Sequence, residues 1–428
     1  MKTKLKLIAL TALVLTSLTP LIRAQLVIPG ANGSDGALVV TSNTVIDLSQ
    51  AATGSWDANN STNTGKGIYD SNQWAVVFKY TSVTISNGAT LSFANHASRS
   101  PVVWLVSGNV TIDGTLSLDG QVASVAPNLS EPGPGGFRGG NGYFTAGVGH
   151  GAGFGPGGGG NPDRYGGSYS TLGYGGSSTY GNPSLLPLLG GSGGSGDVNN
   201  DNYSTSSPQS GSGGGGGGAI LIACSGTLNV GATGIIRADG GPGGDGSNGN
   251  HSAGGSGGGV RLACNTLAGS GIVRTLAGAG HHSGGLGRIR IERVNDSGGL
   301  QVTPGTSPVP LLAGDTALIW LPTNGPTARI VSIGATNPPI DPRASFGTFG
   351  ADVTLPQVST TPVIIETVNA ESASTVKVRV TPRANGNFTE TTAALTQTNS
   401  LNPLVLRWTA DVPVNSGFSA VQVKVVRP

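Results

Sequence analysis

One sequence template occurs four times in this chain and restricts it to folds built by stacking. The copies read VTISNGATLSF at 83–93, VTIDGTLSLDG at 110–120, LNVGATGIIRADGG at 228–241 and LAGSGIVRTLAGAG at 267–280. Each copy is a short apolar strand, a turn containing glycine and a second short strand. Because so short a unit cannot bury its own apolar face, neighbouring copies must stack to form a continuous core. The pattern predicts a parallel β-helix or solenoid.

Glycine is concentrated around the last copies of the template. Of the 74 glycines, 56 lie at 131–300, without the strict three-residue period of collagen. Because glycine has no side chain to hold two backbones apart, runs in a common register could stack as extended chains with lateral hydrogen bonds. A flexible low-complexity spacer is the alternative. Strand-like segments with β-branched residues, at 219–223 and 287–291, interrupt the glycine and favour order.

The C-terminal part has a different pattern, which begins near Val302. TVKVRV at 375–380, LVLRW at 404–408 and AVQVKV at 420–425 alternate apolar and polar residues, as half-exposed antiparallel strands do. About seven such strands fit from Ala317 onward, which favours an immunoglobulin-like β-sandwich. We therefore predict an all-β chain: a glycine-rich parallel solenoid at 25–300, with an irregular insertion at about 131–210, and a small antiparallel sandwich at 301–428.

The first 24 residues have the three parts of a secretory signal peptide. Lys2, Lys4 and Lys6 precede an apolar run at 7–18, and Ala24 offers a cleavage point. No later stretch reaches the ~18–20 apolar residues that a membrane span needs. Only 10% of residues are charged and the net charge is +2, so no basic face indicates nucleic acid. We expect an exported protein, extracellular or at the cell surface, without a transmembrane span or a nucleic-acid partner.

The two cysteines are candidates for a disulfide. Cys224 and Cys264 follow an alanine at equivalent places in two glycine-rich units, so stacking brings them to the sheet spacing of ~4.8 Å. An exported compartment would favour a bond between them. A ladder of two buried, reduced cysteines is the alternative, since cysteine is among the most buried residue types.

Two further motifs suggest ligand sites. Asp197, Asn199 and Asp201 place oxygen ligands at alternate positions, like the opening of a calcium loop, although Pro208 stands where the twelfth-position carboxylate belongs. A structural Ca²⁺ would be the only cofactor, and a solvated turn is the alternative. Aromatic residues in glycine-rich loops can stack on sugars or bases, so the residues Tyr165, Tyr169, Tyr174 and Tyr180 are candidates for binding, against simple packing on neighbouring backbone.

Evidence for catalysis is weaker. Exported β-helices often cleave acidic polysaccharides with clustered carboxylates, a histidine and a basic residue. The residues of that kind are Asp113, Asp119, Asp239, His150, Arg288 and Arg290, and each aspartate stands alone before a glycine, where turn formation explains it. The pair His281 and His282 lacks cysteine or carboxylate partners at metal-ligand spacing. We assign no catalytic residue.

The glycine-rich part resembles a group of bacterial proteins. The segments GNVTIDGTLSLDG, PLLGGSGGSG, GGGGGGAILIACSGTLNVGATGIIRADGGPGG and GGLGRIRIE are similar, in order and spacing, to glycine-rich, pectin-lyase-like β-solenoids of exported and surface proteins, over about 26–293. GADVTLP at 350–356 and VKVRVTPR at 376–383 resemble a β-sandwich appended to such proteins. The resemblance implies an exported surface or extracellular structural protein and brings no catalytic residue. We predict a structural or adhesive protein without catalytic activity, with cell-surface or extracellular-matrix polysaccharide or protein as partner. A carbohydrate-active or carbohydrate-binding β-helix protein is the alternative.

Overall fold

The computed structural model describes residues 25–123, 129–142, 150–160, 164–176, 178–197, 210–244, 252–342, 351–356, 358–383 and 386–428. Within these ranges the chain is all-β, and its one helix is a three-residue 3-10 turn, Leu48–Gln50. No described helix has the length and apolar character that crossing a membrane requires.

The strands fall into a parallel and an antiparallel part. In chain order they are β1 Gly36–Val40, β2 Thr44–Asp47, β3 Ala52–Thr53, β4 Ile68–Asp70, β5 Ala75–Ile85, β6 Thr90–Ala94, β7 Val102–Val106, β8 Val110–Ile112, β9 Thr115–Ser117, β10 Ala219–Val230, β11 Ile235–Arg237, β12 Gly259–Gly269, β13 Ile272–Arg274, β14 Arg288–Asp296, β15 Gln301–Thr303, β16 Val309–Pro310, β17 Thr327–Ile333, β18 Thr360–Val368, β19 Thr375–Pro382, β20 Thr389–Thr392, β21 Ala394–Leu401, β22 Leu404–Pro413 and β23 Ser419–Val426.

Two parallel sheets carry the template copies. The long sheet runs β16-β14-β12-β10-β7-β5-β4-β3, with β1 and β8 paired at its side, and only β4 is antiparallel to its neighbour β5. The short sheet runs β15-β13-β11-β9-β6-β2. Equivalent positions of the four copies are paired: Val83 with Val110, Val110 with Leu228, and Leu228 with Leu267. The alternating apolar residues of both sheets meet in one buried cluster, which includes Trp104, Ile222 and Val273.

The outer face of the long sheet is also covered. A second apolar cluster joins Val77, Val103 and Leu221 of the sheet to Leu185 and Leu188. These two leucines belong to the segment PSLLPLLG at 183–190, which we call the leucine-rich segment. Because both faces are buried, β7 is apolar at all five positions, VVWLV, and every one of them is buried.

The glycine runs form a third layer, which we call the glycine layer: 129–142, 150–160, 190–197, 210–218, 238–244 and 252–258. The backbone amides of residues 213–218 donate to three neighbouring segments in turn. Residues 213 and 216 donate to 137–140, residues 214 and 217 to 253–256, and residues 215 and 218 to 118–121. A three-residue period with only lateral hydrogen bonds is the geometry of polyproline II-type helices. The segment 131–142, expected in an irregular insertion, is part of this ordered layer.

Close packing explains the composition of this layer. A methyl group on Gly216 would lie 1.9 Å from the Gly191 carbonyl oxygen, and one on Gly258 would lie 1.8 Å from the Gly218 carbonyl oxygen. A side chain at either position would therefore overlap a neighbouring backbone. Only glycine allows this spacing.

The boundary between the two parts lies later than the sequence indicated. β15 pairs with β13 and β16 pairs with β14, so the parallel part continues to Pro310. Ala317 and Ile319 then pack in the apolar cluster outside the long sheet. The antiparallel part begins with β17. The sequence indicated an earlier boundary because the last parallel strands, β15 and β16, lie in the glycine-poor stretch after Val302.

The antiparallel part consists of two sheets, β17-β18-β22-β21 and β20-β19-β23. Val363 and Trp408 of the first sheet share a buried cluster with Val376 and Val378 of the second. Arg379 of β19 reaches into the glycine layer, where its Nη1 and Nη2 donate to the carbonyl oxygens of Gly155 and Gly158 at 3.0 and 2.9 Å.

Candidate binding surfaces

The four candidate tyrosines divide into two buried and two on the surface. Tyr169 and Tyr180 are buried, with ring centroids 4.6 Å apart. Their hydroxyls donate to the carbonyl oxygens of Leu189 and Gly190 at 2.9 and 2.5 Å. Burial raises the pKa of both phenols, which therefore stay neutral hydrogen-bond donors. These two tyrosines belong to the core.

The other two tyrosines belong to a surface aromatic cluster, which we define as Tyr165, Tyr174, His281 and His282. Tyr174 and His281 are exposed, whereas Tyr165 and His282 are half-buried. The Tyr174 and His282 rings are stacked at 3.8 Å with an interplanar angle of 10°. His281 meets His282 edge-on at 4.5 Å, and Tyr165 lies 6.3 Å from His282. Tyr174 remains 62% exposed. The sequence indicated the tyrosines as binding candidates. It did not predict their contact with the histidines, which lie more than a hundred positions further along the chain.

Hydrogen bonds hold the cluster in place. His282 Nδ1 lies 3.1 Å from the carbonyl oxygen of Arg164, and Arg164 Nη1 lies 3.3 Å from Asp197 Oδ1. The amide of Tyr174 donates to Ser283 O at 3.1 Å. A flat aromatic surface on a fixed backbone, next to charged and polar groups, can pack against the apolar face of a sugar ring.

Asp197 is the only one of the three calcium candidates that the structure describes, since Asn199 and Asp201 lie outside the described residues. Its side chain is buried and forms an ion pair with Arg164. In the described part of the chain, no group of three or more histidine, cysteine or acidic side chains is arranged to hold a metal ion. The calcium site remains a prediction that depends on Asn199 and Asp201.

The cysteines lie side by side. Cys224 of β10 pairs directly with Cys264 of β12, as the stacking of the two units predicts. Both are buried free thiols in the structure, as in a ladder of reduced cysteines, and the disulfide remains a prediction. Both side chains point into the apolar core. Burial raises the pKa of the Cys264 thiol to about 12, and that of Cys224 also lies well above its ordinary value.

The carboxylates considered for catalysis serve the turns of the parallel part. Asp119 pairs with Arg237 at 2.8 Å, and its Oδ1 accepts the backbone N–H of Asp239 at 2.8 Å. Asp239 pairs in turn with Arg274 at 2.9 Å, and burial raises the pKa of its carboxyl. The two aspartates therefore meet on neighbouring turns, each already paired with an arginine.

The remaining catalytic candidates lie on other elements. Asp113 occupies the turn between β8 and β9, and His150 accepts a backbone hydrogen bond from Gly386 at 3.2 Å. In β14, Arg288 donates to Tyr180 O at 3.1 Å, while Arg290 pairs with Glu292 at 2.9 Å. The six residues do not converge on one groove.

A cleft of about 1670 Å³ opens beside the antiparallel part, with four arginines in its walls. Glu131 pairs with Arg99 and Arg138 at 2.9 and 2.6 Å. Glu366 lies 2.6 and 3.6 Å from the other two arginines of the lining, Arg329 and Arg407. Each carboxylate thus lies between two guanidinium groups.

The cleft combines these charges with aromatic side chains. Trp74, Phe137 and Phe154 contribute to its lining, together with Asp352. The sequence gives no sign of this surface because each arginine stands alone among few charges, and residues as distant as Arg99 and Arg407 line one cleft only in the folded chain.

Comparisons with protein families, with curated proteins and with solved structures find no match to this chain. Its function must therefore be inferred from its own residues.

Proposed function

We propose that this chain is an exported, non-catalytic structural or adhesive protein of the extracellular space or cell surface, which contacts extracellular polysaccharide through the aromatic cluster. In this proposal the parallel part is a glycine-faced β-solenoid and the C-terminal part is an immunoglobulin-like module. The observation that carries the proposal is the exposed Tyr174–His282 stack, held on a backbone that is hydrogen-bonded into the glycine layer.

Export is supported by the N-terminal sequence. Three lysines precede the apolar run at 7–18, as in a secretory signal peptide. The solenoid assignment is supported by the in-register pairing of β5, β7, β10, β12 and β14 in chain order, which gives each unit only its neighbours as partners. The resemblance of the sequence to glycine-rich solenoids of bacterial surface proteins also supports this assignment.

An adhesive role agrees with the chemistry of the cluster. Tyrosine offers a large rigid face and loses little conformational entropy on contact, which suits weak, repeated binding to a polymer. The enzymatic alternative requires a free acid and a free base near one substrate. Asp119 and Asp239 are instead each bound to an arginine. Carbohydrate binding without cleavage is therefore favoured over hydrolysis.

The binding test uses the chain from residue 25 onward and measures its retention on immobilised extracellular polysaccharides and on bacterial cells. We expect Tyr174→Ala to weaken binding about 5- to 150-fold, because loss of a stacked aromatic costs about 1–3 kcal/mol. Tyr174→Phe, which keeps the ring, should bind like the parent chain.

Leu172→Ala is the matched control. Leu172 is also exposed and lies two residues from Tyr174, but it is outside the aromatic cluster. Equal retention of the Tyr174→Ala and parent chains would refute the cluster as the binding site. Release of reducing sugar from the polysaccharide, abolished by Asp119→Asn, would instead establish the enzymatic alternative.

A further inference from the structure

A second, smaller cavity lies against the outer face of the long sheet. Its volume is about 280 Å³, and its apolar walls include Val103 and Leu221 of the sheet, Leu185 of the leucine-rich segment, and Ile319. The exposed residues Asn72 and Gln73 also line it, which places its opening at the turn before β5. This cavity is separate from both the aromatic cluster and the arginine cleft.

Two side chains of this cavity bear N–H donors for which the described residues provide no acceptor. Arg261 of β12 lines the cavity and is only 1% exposed. Its Nε and Nη1, and Nε1 of Trp320 in the same lining, are buried without a hydrogen-bond partner among the described residues. A buried donor left unpaired costs about 1–3 kcal/mol. All three groups are N–H donors, so the missing partner is an acceptor.

The charges around Arg261 also lack a counterpart. Its Nη2 donates to Glu292 Oε2 at 2.9 Å, and Arg290 Nε donates to Oε1 of the same carboxylate at 2.9 Å. One carboxylate therefore neutralises two guanidinium groups. An arginine stays protonated even when buried, and a buried charge needs a partner. An anion in the cavity would supply it.

We propose that this cavity binds a small monocarboxylate with an apolar body. The carboxylate accepts hydrogen bonds from Arg261 and Trp320, and the apolar body lies among the leucine, valine and isoleucine side chains. The apolar walls favour an organic acid over an inorganic anion, because an inorganic anion would leave them in contact with water. The volume suits a ligand at the lower end of the usual range of ~300–1,000 Å³ for ligand sites.

The test titrates the chain from residue 25 onward with butyrate, hexanoate, octanoate and decanoate, by calorimetry and by thermal shift. We expect one saturable site whose affinity rises with chain length until the cavity is full and then falls. Hexanol and octanol, which lack the charge, should bind at least about 10-fold more weakly, as expected for loss of charge-assisted hydrogen bonds.

Two substitutions separate the donors. Arg261→Met should weaken carboxylate binding about 10-fold or more, and it should fold, because Glu292 keeps Arg290 as its partner. Trp320→Phe keeps an aromatic wall but removes one neutral donor, so a smaller loss of about 2- to 12-fold is expected. Arg329→Met, which removes an exposed arginine elsewhere, should bind like the parent chain.

Three results would overturn the assignment: no saturable carboxylate binding, unchanged binding in the Arg261→Met variant, or sulfate and chloride binding as tightly as octanoate. The thermal transition of each unliganded variant shows directly whether a loss of binding comes from misfolding.

Discussion

A methyl group has no room at the centre of the glycine layer, and this single fact explains why one residue type dominates so long a stretch. The carbonyl oxygen of a neighbouring segment occupies the position that a Cβ of Gly216 would take. The contact is with backbone, so no side-chain rotation can relieve it. Gly216 therefore stabilises the fold by its lack of a side chain, as Gly258 does, despite the conformational entropy that ordering glycine costs.

Gly216→Ala should accordingly lower the free energy of unfolding by more than the about 1–3 kcal/mol usual for overpacking, because two hydrogen-bonded segments must separate. Urea unfolding followed by circular dichroism measures this change. Gly305→Ala is the control, since nothing lies within 4 Å of a Cβ there. That variant should stay within about 0.5 kcal/mol of the parent chain. Equal stability of the two variants would mean that the layer is looser than described.

The individual strands show which parts of the fold their sequence determines. Alternating apolar residues and glycine turns predicted the all-β class, and strands at 375–380 and 404–408 lie where expected. Positions of the template copies that align in sequence are paired in the sheets. The strands depend on residues close in sequence, whose side-chain pattern is fixed by the two-residue period of a strand. The pairing of distant copies could be predicted because each copy repeats the same local pattern.

Contacts between distant residues that no sequence repeat relates were not predicted. The donors of 213–218 reach three separate segments, and a glycine run carries no side chain that could specify which ones. His282 meets Tyr174, and Arg99 meets Glu131, only through the folded backbone. β15 and β16 were assigned to the wrong part because they are short and lack the template's glycine.

The pairing of β10 with β12 leads to a chemical prediction for Cys224 and Cys264. A thiol reacts as its thiolate, and burial raises the pKa of the Cys264 thiol to about 12. The native protein at pH 8 should therefore show almost no reaction with a thiol-specific chromogenic disulfide reagent. In denaturant, two thiols per chain should react. If none reacts until a reductant is added, the cysteines form the disulfide that export would favour.

At the scale of the whole molecule, a buried arginine joins the antiparallel part to the glycine layer. Arg379 is 4% exposed, donates to two carbonyl oxygens of the layer and lies with its guanidinium carbon 3.4 Å from the centroid of the Phe388 ring. Burial lowers the pKa of this guanidinium to about 10, so it remains charged at neutral pH. Lys424 adds a hydrogen bond to Thr179 O at 3.0 Å.

Arg379→Met should uncouple the two parts. The substitution removes two charge-assisted hydrogen bonds, a loss of about 2–4 kcal/mol in coupling. It takes the arginine donor from the Gly158 carbonyl oxygen, while Gly155 O keeps the backbone N–H of Gly158. Because the antiparallel part has its own apolar cluster, it should still fold. Calorimetry should then resolve two thermal transitions, whereas we expect the parent chain to unfold in one. Lys377→Met, on the same strand, removes only a partly exposed contact at 3.7 Å and should keep the single transition. A single unshifted transition in Arg379→Met would show that the two parts are held together mainly by other contacts.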